Sequence, residues 1–196
     1  MYENYRVMEN FNLYVDELDY SQIKKLFEDK GTVQTFKRKE YFVKQNTPSL
    51  CAGWIESGDF RYTCIGDDGK EHIVGYSFTG EFVCDYSSFM KRDLALVNIQ
   101  AINDCSVRIL SYDDIVGFWE TNFETQRFGR QMSETMFFDI YKRLLGFYCS
   151  TPEQRYSELM QRCPNLKEKI SLREIASFLG VTPETVSHIR KRLRSE

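Results

Sequence analysis

Polar and basic side chains follow one another at helical spacing in ETVSHIRKR, near the end of the sequence. At about 100° per residue, Glu184, His188 and Lys191 lie opposite the apolar stripe of Val186 and Ile189. Glutamate accepts from the amino group of cytosine, serine and histidine reach base edges, and threonine, lysine and arginine hold phosphates. The pattern predicts that eight residues contact double-stranded DNA: Thr182, Glu184, Thr185, Ser187, His188, Lys191, Arg192 and Arg194.

The charge of the chain is unevenly distributed, which supports this prediction. Residues 166–196 hold seven Lys or Arg and four Asp or Glu, a net charge of +3, whereas the whole chain has a net charge of −3. Such asymmetry is expected when only one end of a protein meets a polyanion. The alternative interpretation is an ordinary solvated helix face.

Two short helices must position these side chains. Ser171 and Glu174 form a capping box at the start of the first helix, and Gly180 supplies the left-handed residue that ends it. Thr182 caps the second helix and Pro183 occupies its first position. Two capped helices joined by a tight turn indicate a helix-turn-helix. Its predicted buried residues are Leu172, Ile175, Ala176, Leu179, Val186, Ile189 and Leu193.

The region from Gly31 to about Leu110 has the pattern of β structure. Short apolar or alternating segments recur between Gly- and Asp-containing turns, which favours an antiparallel sandwich or barrel. The segment GWIESGDFRYTCIGDDGKEHIVGY predicts two successive hairpins.

Helices are predicted on both sides of this β region. Residues 11–30 have helical apolar spacing, Ser111 precedes two acids of a first turn, and Thr151 forms a capping box with Gln154. A longer helix is predicted from Asn122 to Cys149.

That long helix is apolar on more than one face. Met132, Met136, Ile140 and Phe147 form one stripe, and further aromatic residues form neighbouring stripes. A helix of this kind is buried on more than one side. This favours packing on the β domain and on a second copy of the chain; the alternative is the central helix of a monomer.

Composition excludes several classes of protein. Hydrophobic residues make up 42% of the chain and aromatic residues 15%, enough for a folded core. We expect a soluble cytoplasmic protein, because neither a signal peptide nor a transmembrane run is recognisable. The six cysteines form no C-x-x-C pair and are expected to be reduced and mostly buried. With no catalytic triad, phosphate-binding glycine loop or ligand cluster, we expect no enzyme activity, cofactor or metal.

Three segments together resemble Crp/Fnr-type transcription regulators, the family of the cyclic-AMP receptor protein. GWIESGDFRYTCIGDDGKEHIVGYSFTGEFVCDYSSFM is similar to the sensor β-roll, VNIQAINDCSVRILSYDDI to its return strands and following helix, and FLGVTPETVSHIRKRL to the DNA-binding helix pair. The resemblance implies an α+β fold with an N-terminal antiparallel, jelly-roll-like β-roll (1–121), a long dimerisation helix (122–149) and a C-terminal helix-turn-helix (150–196). It also implies a homodimer on a palindromic promoter site, an effector and a contact with RNA polymerase.

The resemblance has gaps in the sensor. Family members that bind cyclic nucleotides have a phosphate cassette that begins with Gly-Glu and closes with Arg, a small hydroxyl residue and Ala. Gly80 and Glu81 match the beginning and Arg92 the end, but Asp93 replaces the hydroxyl residue and would repel a phosphate. We therefore expect an unknown small effector other than cyclic AMP. Alternatively, Gly80 and Glu81 are a turn kept by the fold.

The helix pair departs from the family as well. Pro183 and His188 occupy positions where classical members have Arg, which implies a different operator, and the sequence ends at Glu196, so we expect the pair to act without a β-hairpin wing. The alternative function is a ligand- or protein-binding β-roll whose helix pair makes protein contacts.

Overall fold

Two antiparallel four-stranded sheets lie between residues 32 and 111 of the computed structural model, which describes residues 10–12, 14–67 and 69–194. The strands are short because turns built on Gly, Asp and Asn interrupt them, as the sequence pattern predicts. They are β1 (Thr32–Phe36), β2 (Tyr41–Val43), β3 (Cys51–Ser57), β4 (Phe60–Ile65), β5 (Glu71–Ser77), β6 (Phe82–Val83), β7 (Asn98–Ala101) and β8 (Cys105–Ser111).

The order of the strands is that of a roll, with neighbours that are distant in sequence. One sheet has the order β1-β8-β3-β6 and the other β2-β7-β4-β5, and every pairing between these strands is antiparallel. Apolar residues from both sheets meet in one core, in which Ile55, Phe60, Ile99 and Val107 are fully buried. The predicted antiparallel β-roll is therefore confirmed.

The first of the two predicted hairpins is wrong. β4 and β5 pair directly, but β3 and β4 belong to different sheets. Gly58, in the turn between them, has a φ of +92°, and a Cβ atom there would lie 2.5 Å from Cys105 Sγ and 2.7 Å from the carbonyl oxygen of Asp104. The backbone passes so close to the start of β8 that the chain crosses from one sheet to the other instead of folding back.

Helices flank the sheets on both sides in sequence. The predicted helix over residues 11–30 is interrupted around Leu18–Tyr20, whereas the long helix is confirmed with nearly the predicted bounds. Among the described residues, no helix has the length and hydropathy that a membrane crossing requires. The helices are α1 (Tyr14–Glu17), α2 (Ser21–Lys30), α3 (Tyr86–Lys91), α4 (Tyr112–Trp119), α5 (Phe123–Cys149), α6 (Pro152–Arg162), α7 (Leu166–Lys169), α8 (Leu172–Leu179) and α9 (Pro183–Arg192).

Local side-chain caps explain where three of these helices begin. In each, a hydroxyl oxygen accepts from the backbone N–H three residues later, and that later side chain accepts from the N–H of the cap. Such reciprocal bonds satisfy amides that the helix itself leaves unpaired. The predicted caps are confirmed for Ser111 with Asp114, Thr151 with Gln154 and Ser171 with Glu174.

Backbone contacts group the chain into two units. One is Glu17–Ser133, and the other consists of Met1–Asp16 and Glu134–Glu196. The change from one unit to the other falls inside α5, which is a single continuous helix. The three-part division at residues 121 and 149 stays a prediction.

Substitution of Gly58 tests the crossing between the sheets. We expect Gly58→Ala to destabilise the roll by about 3 kcal/mol or more, because alanine resists the left-handed conformation and its Cβ overlaps backbone atoms. Gly69→Ala is the matched control: Gly69 has a φ of +74°, but no described atom lies within 4 Å of an added Cβ, so a loss of about 1 kcal/mol is expected. Urea unfolding followed by tryptophan fluorescence measures both, since Trp54 and Trp119 lie in Glu17–Ser133. Equal losses would contradict the explanation.

Candidate DNA interface and sensor region

The reader pair, α8 and α9, packs through a small apolar core. Ile175 and Ala176 of α8 and Val186 and Ile189 of α9 are buried. Gly180 ends α8 in the left-handed conformation with a φ of 66°. The predicted core is confirmed at these positions, but not at Leu193, which follows the end of α9 and is 38% exposed. The period of the stripe predicted its burial, yet the helix ends before it.

The opposite face of α9 carries the predicted DNA-contacting side chains. Thr185 is half-buried. The pKa of Glu184 is lowered, first by a hydrogen bond from its own backbone N–H, then by the Thr182 hydroxyl and by the nearby His188. Glu184 is therefore ionised at neutral pH and acts only as an acceptor. The exposed members of the predicted set are Thr182, Glu184, Ser187, His188, Lys191, Arg192 and Arg194.

Thr182 holds the first turn of α9 in place. Its Oγ1 accepts from the Thr185 N–H at 3.3 Å, and the hydroxyl oxygens of the two threonines are 3.1 Å apart. The hydroxyl oxygen of Thr182 is thus occupied as a cap. Pro183, which lacks an N–H, occupies the first helical position, where an amide would have no partner within the helix.

Arg192 has a carboxylate partner on a neighbouring helix. Its guanidinium pairs with Glu153 in the first turn of α6. Sequence reasoning missed Glu153, although an acid in a capped first turn is favoured there by the helix dipole. Arg192, although exposed, therefore has an acidic partner within the protein.

In the roll, Gly80 and Glu81 build the turn between β5 and β6. Glu81 is only 1% exposed, and its Oε2 accepts from the Phe78 N–H at 3.0 Å. The Gly80 N–H donates to the Ile55 carbonyl at 2.9 Å, and the Ile55 N–H donates to the Glu81 carbonyl at 3.0 Å. These contacts attach the turn to β3, which agrees with the interpretation of Gly80 and Glu81 as a turn kept by the fold.

Arg92, the predicted end of the cassette, follows α3 in the left-handed conformation with a φ of 53°. Its guanidinium carbon lies 5.1 Å from the centre of the Tyr112 ring, a cation–π contact with the first residue of α4. Asp93 beside it is exposed, and its Oδ1 accepts from the Leu94 N–H. A ligand phosphate at Arg92 would meet this carboxylate.

Asp85, which sequence reasoning did not select, is the carboxylate that organises this region. It is buried directly before α3, and its Oδ2 accepts from the Leu96 N–H at 2.7 Å and from the Ser88 hydroxyl at 3.0 Å. These bonds join the beginning of α3 to the segment that follows it. An acid three residues before Ser88, at the start of a helical run, was the available sequence signal.

The tyrosine and thiol groups nearby are not reactive. Burial raises the pKa of Tyr62, whose hydroxyl oxygen accepts from the Cys84 N–H at 3.2 Å. Burial also raises the pKa of the Cys84 thiol well above its usual value and that of Cys105 to about 11. All six cysteines are free, but only Cys105 and Cys163 are fully buried, fewer than predicted. The described residues contain no group of three His, Cys, Asp or Glu placed as metal ligands.

The outer face of α5 exposes a continuous set of large apolar residues. Met132 is buried, but Ile140 and Phe147 of the same predicted stripe are 62% and 43% exposed, and on the neighbouring stripe Phe137 is 68% and Tyr148 81% exposed. Exposed apolar surface of this extent is typical of a protein interface. The residues at alternating spacings of four and three along this face are Phe137, Tyr141, Leu144 and Tyr148.

The chain is similar to known proteins in sequence and in fold. Residues 33–122 match the family model of the cyclic nucleotide-binding domain. The CRP-like protein Clp of Xanthomonas campestris is 22% identical over 194 residues, which cover 86% of this chain and 84% of Clp.

Two solved structures share the fold. FixK2 from Bradyrhizobium japonicum has a TM-score of 0.71 and 18% identity, covering 84% of this chain and 85% of its own. A transcriptional regulator assigned to the Crp/Fnr family, from Eubacterium rectale, has a TM-score of 0.64 and 21% identity, covering 95% and 88%.

Substitution of Asp85 tests its structural role. We expect Asp85→Ala to lower the free energy of unfolding of the roll by about 1–3 kcal/mol, because the Leu96 N–H and the buried Ser88 hydroxyl lose their acceptor. Asp93→Ala is the matched control, with an expected change of about 0.5 kcal/mol, since Asp93 is exposed. Urea unfolding followed by tryptophan fluorescence measures both. An Asp85→Ala variant as stable as Asp93→Ala would show that Asp85 does not hold α3.

Proposed function

We propose that this chain is a transcription regulator of the Crp/Fnr type, which it resembles in sequence and fold, and that it binds double-stranded DNA sequence-specifically through α9. The observation that supports this most directly is the division of α9 into two faces. Val186 and Ile189 are buried against the rest of the reader pair, while Glu184, His188 and Lys191 are exposed. A recognition helix needs this arrangement, because its polar face must enter the major groove.

Within this proposal, the side chains of α9 have different roles. Glu184 and His188 lie near the N-terminal end, from which recognition helices contact base edges. An ionised Glu184 accepts from a cytosine amino group. Lys191 and Arg194 attract phosphates without regard to sequence, and Arg192 does so in competition with Glu153.

The proposed assembly is a homodimer on a palindromic promoter site. The exposed apolar face of α5 is the surface that a second copy would cover, because its aromatic residues repeat at the spacing of a two-helix seam. A two-fold dimer presents two copies of α9, which suits two half-sites about one helical turn of DNA apart. Binding beside a promoter also makes RNA polymerase a partner in this proposal.

The roll is proposed to sense an effector other than cyclic AMP. Glu81 and Asp85 use their carboxylates to hold the backbone of the roll, and Asp93 is exposed beside Arg92. The Asp93 carboxylate opposes the binding of a phosphate at Arg92. The alternative function, a roll whose reader pair binds proteins, is kept as an outcome of the DNA experiment.

The proposal is tested with duplexes that the full-length protein enriches from a randomised pool. We expect Lys191→Ala to weaken binding to all sequences and to reduce the log–log salt slope by about 0.9, the contribution of one phosphate contact. Glu184→Ala is the matched variant: it should leave the slope unchanged and lose about 1–3 kcal/mol of discrimination at one base pair.

The controls are the unfolding curves of both variants, which must match the wild type. Absence of enrichment, or unchanged DNA affinity in both variants, would contradict DNA recognition by α9 and favour the protein-binding alternative.

Cyclic AMP provides a separate test of the sensor. Titration of the full-length protein with cyclic AMP is expected to give no binding heat at micromolar concentrations, because the Asp93 carboxylate next to Arg92 repels the phosphate. The same preparation must bind its enriched duplex, which shows that it is folded. A micromolar dissociation constant for cyclic AMP would refute this part of the proposal.

A further inference from the structure

Arg162 of α6 is paired inside the protein with a carboxylate of α5. Its two terminal nitrogens donate to the two carboxylate oxygens of Asp139 at 2.7 and 3.0 Å. Both side chains are about three-quarters buried, with 23% and 24% exposed. A bidentate pair fixes distance and angle together, so the pair sets the angle between α5 and α6.

A second arginine and two aromatic rings extend this contact to the reader pair. The guanidinium of Arg143, on α5, lies 4.8 Å from the ring centre of Phe178, a buried residue of α8. The ring of Phe11 contacts that of Phe178 edge-on, with 5.3 Å between the ring centres. The guanidinium of Arg162 lies over the ring of Phe11 in a cation–π contact. The pKa of Arg143 is lowered, mainly by burial and also by the positive charge of Arg162, while the Asp139 carboxylate offsets part of this shift. Asp139 therefore lies close to both guanidinium groups.

Arg155 of α6 forms a separate attachment. It donates to the carbonyl oxygens of Ser150 at 2.7 Å and of Leu179 at 3.1 Å, and its guanidinium lies over the ring of Phe147. Leu179 is the last residue of α8, and an atom of Phe147 lies 3.0 Å from the position of a Cβ on Gly180. The turn between the two reader helices is thus held against the end of α5.

We infer that Asp139, Arg162 and Arg155 are positioning residues that hold the reader pair in one orientation on the C-terminal part of α5. They thereby determine the spacing of DNA half-sites that the dimer accepts. None of the three lies on the exposed face of α9, and the terminal guanidinium nitrogens of both arginines donate to oxygens within the protein. The inference rests on the proposed function, because a spacing is defined only when two copies joined through α5 bind one duplex.

The physical argument is geometric. In a dimer joined along α5, the distance between the two copies of α9 depends on the angle at which each reader pair leaves its helix. A change of one base pair in the spacer rotates one half-site by about 35° around the DNA axis. A rigidly held pair cannot follow this rotation, whereas a loosely held pair can.

The experiment compares spacers. The half-site enriched by the wild type is placed in palindromes whose spacers are changed by one and two base pairs. We expect the wild type to lose about tenfold or more in affinity at one base pair from its optimum, and Asp139→Asn to lose less than about threefold because the reader pair can adjust. The salt slope should be the same in both, since Asp139 contacts no phosphate.

Two controls separate positioning from stability and from DNA contact. Lys191→Ala should keep the spacing profile while losing salt slope, and Gly58→Ala should keep the profile although its roll is destabilised.

Asp139→Asn combined with Arg162→Gln should behave like either single variant if the pair acts as a unit. Arg162→Lys should recover part of the profile. If Asp139→Asn does not fold, Arg155→Met serves as the second variant and is expected to flatten the profile too.

A measurement without DNA keeps the inference testable by itself. Spin labels introduced as unnatural amino acids at Lys142 and Ser187, both exposed, should give a narrow distance distribution in the wild type and a broad one in Asp139→Asn. Equal widths, or identical spacing profiles, would overturn the inference while leaving DNA binding intact. A wild type that enriches no duplex would instead refute the proposed function. The widths of the label distance distributions would then be the only test of whether Asp139 holds the reader pair in one orientation.

Discussion

The long helix α5 has more apolar surface than its own chain covers, and the proposed function depends on this excess. Met132 packs inward, but Phe137, Tyr141 and Tyr148 face solvent in the isolated chain. Exposed aromatic rings in such a row are costly in water, and a second copy removes the cost symmetrically. A dimer formed in this way also supplies the two recognition helices that one palindromic site requires, so a single hydrophobic surface connects stability with recognition.

Carboxylates in the roll are used for structure where the resemblance implies ligand binding. Glu81 accepts from the Phe78 N–H and Asp85 from the Leu96 N–H, and both are buried. An acid that satisfies buried amides is costly to remove, because those amides would be left without partners. The same charge disfavours an anionic ligand nearby. The departure of Asp93 from the cassette pattern therefore agrees with the wider chemistry of this segment, which retains the fold of the family but few of its phosphate-binding groups.

What could be predicted from sequence depended on how local the cause was. The capping boxes at Thr151 and Ser171 act within four residues and were predicted, and Ser111 was predicted to begin its helix, although its box with Asp114 was not. The pairing of β3 was not predicted, because its partners β6 and β8 are determined by the packing of two sheets. In the sequence, Gly58 cannot be distinguished from a hairpin glycine, because its contact with Cys105 exists only in the folded chain. Asp85 was missed for the same reason, since its main donor is the Leu96 N–H beyond α3.

Counting charges predicted which end of the chain would bind DNA but not which arginines are already paired within the protein. Arg192, which the sequence places on the exposed face, pairs with Glu153. Arg155 and Arg162 lie outside the basic segment and direct their guanidinium groups to carbonyl and carboxylate oxygens within the protein. Because a planar guanidinium can hold two oxygens at fixed angles, these half-buried arginines are proposed to set geometry, and Lys191 and Arg194 are proposed to attract DNA. The specificity of such a regulator would then depend as much on the residues that orient its recognition helix as on those that reach the bases.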